Sequence, residues 1–145
     1  MKKSVIKEIT PLVKKKRSFT VLKSLERFEQ EAFIQEVTLK YPNEADDLWA
    51  NENGGSRHFL EAINLKKRGV KAGIPDLFFA QPRGPYHGLF IEMKRKDKKK
   101  ALVTFEQQRR LERLKDHGYR ATLCYGSLEA IEEFEYYLSL PSIGK

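Results

Sequence analysis

The chain has 145 residues, 40% hydrophobic and 33% charged, with 28 Lys and Arg against 20 Asp and Glu for a formal net charge of +8. That length supports one domain burying roughly two thirds of its unfolded surface, and the composition excludes a disordered chain. No apolar run approaches the ~20 residues of a membrane helix, and the basic start "MKKSVIKEITPLVKKKRSF" lacks the apolar segment of a secretory signal, so a cytoplasmic protein with a polyanionic partner is expected.

In chain order, residues 1–20 carry Pro11 and the run Lys14, Lys15, Lys16, Arg17, and predict a basic arm ahead of a domain over 21–145. From Val21 to Lys40 the spacing predicts a helix with Val21, Leu25, Phe28, Ala32 and Leu39 on its apolar face, stopped by Tyr41-Pro42. "DLWANENGG" (47–55) reads as a short strand ending in an Asn-Gly turn. "SRHFLEAINLKKRG" (56–69) reads as a helix with Ser56 as its N-cap and Gly69 as its stop. "DLFFA" and "GLFIEMK" are two strands, and the Pro/Gly loop "QPRGPYH" between them could close a hairpin. A further helix starts near Thr104, with Gln107 at the capping-box position, and ends at Gly118. "YRATLCYG" is the next strand, and "SLEAIEEFEYYLSL" a closing helix capped by Ser127, with Ala130, Ile131, Phe134 and Leu138 facing inward. This order predicts a mixed α/β sheet with helices on both sides. No glycine-rich phosphate loop follows a strand, so no nucleotide cofactor is expected.

The lone Cys124 cannot form an internal disulfide, and His58, His87 and His117 share no spacing, which leaves thiol and histidine-metal chemistry unsupported. Chemistry falls instead on "PDLFF" and "LFIEMK". Alternation along a strand puts Glu92 and Lys94 on one side with Met93 opposite. If the two strands pair, Asp76 and Glu92 converge, with the Met93 backbone carbonyl between them. Two carboxylates and a carbonyl make an oxygen cage for Mg²⁺ or Mn²⁺, beside which Lys94 can orient a water or balance charge on a phosphate. The alternative is structural: Glu92 and Lys94 as solvent-facing residues of an edge strand.

Gln107 shares a face with Leu111 and Leu114, while Gln108 falls among Glu112 and Lys115, so the Gln107 amide points inward, either toward the site or back to Thr104 as a cap. Asn53-Gly54-Gly55 is first a tight turn, whose amides, with Arg57, could also approach a phosphate. Basic runs at 13–19, 65–71 and 94–100, which include Lys71 and Arg95, supply further phosphate contacts.

Four pieces, "NGG" (53–55), "LKKRGVKAGIPDLFF" (65–79), "YHGLFIEMKR" (86–95) and "TFEQQ" (104–108), together resemble the VRR-NUC domain of the PD-(D/E)XK nuclease superfamily, from about Glu31 to the closing helix. The resemblance implies a restriction-endonuclease-like core over 21–145, with Asp76 and Glu92 holding Mg²⁺ or Mn²⁺, Lys94 as the catalytic lysine and Gln107 in the site. It also implies a glutamate on the first helix, four residues before a glutamine. "EAFIQ" makes Glu31 the candidate, with Gln35 one turn on, although Glu29 and Glu36 lie nearer the middle of the apolar side.

Small stand-alone members of that family, often from phages or bacteria, resemble structure-specific nucleases of branched DNA such as four-way (Holliday) junctions, and larger relatives in eukaryotes attach the same domain to DNA-repair modules. Paired incision of a junction needs two sites, so a homodimer is expected. The competing expectation is a non-catalytic basic DNA-binding module on the same fold. Metal-free RNA cleavage is less well supported, because nothing supplies a histidine-centred site.

Overall fold

The structure, a computed structural model, describes residues 25–51 and 59–143. The expected basic arm at Lys14 to Arg17, the Asn53 turn, Arg57 and the Ser56 cap lie outside the described residues.

Residues 25–40 form α1, and Pro42 then starts a single turn, α2 (Pro42–Ala45). There follow β1 (Leu48–Ala50), α3 (Phe59–Lys67), β2 (Leu77–Phe79), β3 (Leu89–Lys94), α4 (Phe105–Asp116), β4 (Arg120–Tyr125) and α5 (Gly126–Ser139). The four strands make one sheet in the order β1-β2-β3-β4. β1 with β2 and β2 with β3 are antiparallel, while β3 with β4 is parallel across the α4 connection. This is the mixed sheet expected from the sequence.

Alternation sorts β3 between two environments. Leu89, Ile91 and Met93 join Leu77, Phe79 and Cys124 in a buried layer against Phe33 and Val37 of α1 and Ala130, Ile131, Phe134 and Tyr137 of α5. Its rings meet edge to face, with Phe79 and Phe33 at 5.0 Å and 5.9 Å from Phe134. Cys124 is a packed residue here, and burial pushes its thiol up to about 12. On the other face Phe78 stacks on Phe90 at 4.3 Å, with Tyr119 against both rings. Glu92 and Lys94 belong to that second face.

Two local expectations are corrected. The inward stripe of α1 is not Leu25, Phe28 and Leu39, which are 45%, 65% and 83% exposed; it is Phe33 and Val37, both fully buried. A pair one turn apart is what the slot between the sheet and Phe134 accepts, and it rotates the helix away from the longer apolar series. In addition, α5 is not capped by Ser127. Its first residue is Gly126, and the Ser127 N–H donates to Glu29 Oε2 at 2.7 Å, so a carboxylate from α1 satisfies the open helix start. The α4 start is as expected: Thr104 and Gln107 form a complete capping box.

Candidate active site

The site begins with a register. β2 and β3 pair Phe79 with Leu89, Phe78 with Phe90 and Leu77 with Ile91, so one step further sets Asp76 opposite Glu92 on the Phe78–Phe90 face. β3 continues past the last rung, leaving the Met93 N–H without a strand acceptor, and it donates to Asp76 Oδ2 at 2.7 Å. N–H and C=O of one strand residue leave on the same side, so the Met93 carbonyl also faces the Asp76 edge. Asn51 fixes the other end of this segment: its N–H donates to the Asp76 carbonyl at 2.7 Å and its Nδ2 to the Pro75 carbonyl at 2.9 Å.

Glu92 and Lys94 are 2% and 4% exposed, and Lys94 Nζ lies 3.1 Å from Glu92 Oε1. The edge-strand alternative for this pair is therefore set aside: both side chains are inside. Gln107 Nε2 donates to the same Glu92 oxygen. The Gln107 side-chain oxygen meanwhile accepts the Thr104 N–H at 2.9 Å. One amide thus both completes the cap of α4 and reaches Glu92. Gly73 allows this approach. It has φ +73°, and a Cβ there would stand 2.7 Å from the Glu106 carbonyl oxygen, so only glycine lets the "KAGIPD" loop lie against the first turn of α4.

Burial raises the Asp76 carboxyl above its usual range; the Met93 N–H and the Lys94 charge oppose the rise, and Glu26 adds to it. Glu92 is pushed up to about 7, first by burial and then by the Asp76 charge, with Lys94 opposing and Glu26 again adding. Two acids on adjoining strands thus share too little positive charge to be comfortably ionised together.

Glu31 does not reach this cluster. It sits on the outer side of α1, half exposed, with Arg27 Nε 2.8 Å from its Oε1. Glu26 is the α1 carboxylate whose charge bears on the pair: it lies seven and eleven residues before Phe33 and Val37, in line with them, whereas five residues, about 140° of helix turn, separate Glu31 from it. The signal was in the sequence, in the seven- and eleven-residue steps from Glu26 to Phe33 and Val37, but the more numerous apolar residues on the outer face masked it. Among the described residues no three acids, histidines or cysteines stand close enough together to hold a metal, so Glu26 acts on the pair through its charge at a distance. Lys71 is exposed as expected, whereas Arg95 is only 7% exposed and is no simple surface contact.

The chain matches the VRR-NUC domain family over residues 20–128. It belongs to that family. A solved structure described as a VRR_NUC domain protein is similar to it at 29% identity and a TM-score of 0.71, covering 81% of this chain and 90% of that one. No curated protein matches. The VRR-NUC domain is a nuclease domain, and the mixed sheet with flanking helices agrees with a restriction-endonuclease-like fold. Among the described residues no helix is long and apolar enough to cross a membrane.

Proposed function

We propose that this VRR-NUC protein is a divalent-metal-dependent endonuclease that hydrolyses phosphodiester bonds in DNA. The observation that carries the reading is the placement of Asp76 and Glu92 opposite each other, one step past the end of the β2–β3 ladder, with Lys94 on Glu92. The donor set fits a hard cation. One oxygen of each carboxylate is engaged by Met93 N–H or by Lys94 and Gln107, and the second oxygen has no hydrogen bond among the described residues. With the Met93 carbonyl, these oxygens would hold Mg²⁺ or Mn²⁺, and their raised proton affinity marks a site short of positive charge. When bound, the ion supplies an activated water and charge neutralisation at the phosphate.

The chain's own residues do the rest. Lys94 is held against Glu92 and can donate to a phosphate oxygen as charge builds there. Gln107 orients the Glu92 carboxylate, and Met93 N–H and Asn51 hold Asp76 and its backbone. The basic runs, with Lys71 and the exposed lysines of residues 96–100, grip the backbone of the substrate without reading sequence. Contacts to phosphates suit recognition by shape, which favours branched DNA, and paired cuts would be made by a homodimer.

The test is a panel of linear, flap, fork, bubble and four-way DNA incubated with Mg²⁺ or Mn²⁺. Cutting that depends on the metal and prefers a branch is the expected result. Asp76→Asn and Lys94→Ala should each slow cutting by at least about 10²-fold. If both variants bind the branched substrates and cut them as fast as the parent, the cutting does not come from this site and the reading is lost; a parent that binds but does not cut is a DNA-binding module.

A further inference from the structure

Strand alternation carries a row of rings onto the sheet face that holds the acids. Trp49 of β1 lies opposite Phe78 of β2, and Phe78 lies opposite Phe90 of β3. Phe78 and Phe90 stand one pleat from Asp76 and Glu92 on their own strands, so each ring shares a face with its acid, about 7 Å along the strand. The rings touch in series. Trp49 and Phe78 centroids are 5.1 Å apart, Phe78 and Phe90 4.3 Å, and Tyr119 closes the row 5.3 Å from Phe90. Phe78, Phe90 and Tyr119 are half-buried, and packing accounts for them because each covers another. Trp49 is different. It is 47% exposed on a three-residue strand at the edge of the sheet, and among the described residues Phe78 is the only ring that meets it. Edge strands ordinarily turn charged side chains to water. A lone apolar side chain on a surface needs no explanation, but this indole extends a continuous aromatic strip that runs beside the acids.

The charge around the strip identifies its occupant. Lys66, Lys67, Arg68 and Lys71 are exposed on the run that leads into Asp76, and no acid stands between Glu61 and Asp76. An apolar peptide or a second copy of the strip would leave those cations unmatched, whereas a nucleotide brings a flat ring and a phosphate together. We propose that Trp49, backed by Phe78 and Phe90, stacks on an unpaired base next to the phosphodiester at Asp76 and Glu92, and so selects DNA that is unpaired beside the cut. The proposal rests on the nuclease reading and narrows its substrate class to flaps, forks and single strands. In a continuous duplex every base is already stacked and paired, so its face is out of reach. At a flap the base is free, and meeting the indole costs no unpairing. Every base has such a face, so the contact selects structure without selecting sequence.

Trp49 is the chain's single tryptophan, so its emission reports this contact directly. Emission is measured in EDTA, where no cutting occurs, as a flap, the single strand, the matching duplex and a flap with abasic unpaired positions are added. The flap and the single strand should quench it; the duplex and the abasic flap should not. Trp49→Ala should bind the flap at least about tenfold more weakly and lose most of the preference over duplex. Its slope of log affinity against log salt should stay parental, because no phosphate contact is removed. Trp49→Phe should recover part of the flap affinity, since a smaller ring still stacks. A flap that binds without quenching, quenching of the same size by duplex or abasic flap, or a Trp49→Ala protein with the parental preference overturns the proposal. So does emission that shifts with protein concentration alone, which assigns the strip to a second copy. In each of these cases a parent that cuts in Mg²⁺ leaves the nuclease reading intact, whereas a parent that binds no DNA removes both. If Trp49→Ala does not fold, the quenching curves of the parent decide.

Discussion

One oxygen of Glu92 receives both the Lys94 ammonium and the Gln107 amide, and this small knot governs how the site responds to pH. In the folded chain Glu92 keeps its proton up to about pH 7, whereas an unfolded glutamate releases it near 4.5. Between those values the folded state binds the extra proton, so metal-free stability should fall as pH rises through that window, by an amount on the order of a few kcal/mol. Asp76, also raised, works in the same direction. Mg²⁺ competes with those protons, so its stabilising effect should grow over the same window. Melting curves with EDTA and with millimolar Mg²⁺ from pH 4.5 to 7.5 would show this; a Mg²⁺ effect that is absent or independent of pH counts against the ion site. Gln107→Glu separates the two jobs of that side chain. Glutamate still completes a capping box, so the melting temperature should move little, but it sets a like charge against Glu92 and should cut activity at least about tenfold. Of these residues Asp76, Glu92, Lys94 and Gln107 were legible from alternation, helical spacing and the family motif. Glu26 was masked by the more numerous apolar residues on the outer face of α1, and nothing in the spacing reports the burial of Arg95 just past a strand end.

At the scale of elements, the strands and most helix ends were readable because local chemistry defines them. The Thr104 capping box starts α4, and bonds from Gly69 and Val70 back to Lys66 and Leu65 close the end of α3. What local sequence does not contain is a contact from elsewhere in the chain. The α5 cap comes from Glu29, 98 residues away, and the α1 face is chosen by Phe134. Two substitutions make this difference measurable. Gly73→Ala must strain a φ of +73° and press against the α4 backbone at 2.7 Å. It should cost about 1–3 kcal/mol and, by moving the first turn that carries Gln107, reduce kcat as well. Glu29→Ala should cost about 1 kcal/mol through the lost cap while leaving kcat close to the parent. Denaturant titration together with single-turnover cutting checks both; equal kinetic losses in the two variants would mean that the Gly73 loop has no special link to the site.

Across the whole molecule, the predicted order of elements held because apolar residues alternate on β3 and recur with helical spacing on α5 around one shared core, while α4 buries Leu111. The charge excess of +8 is a property of the entire chain and suits a partner with a regular array of negative groups. The run from Lys14 to Arg17 should contribute attraction without alignment. Removing residues 1–17 should therefore flatten the salt dependence of DNA binding by several units of slope while slowing single-turnover cutting only slightly. Unchanged slopes would assign that segment to another task, such as contact between two copies.

Because a single amide both ties off the beginning of α4 and steadies Glu92, fraying of that turn and disarming of the carboxylate become one event. Catalytic competence is then reported by a few backbone bonds at a helix tip, and gentle warming could silence the protein well before its core gives way.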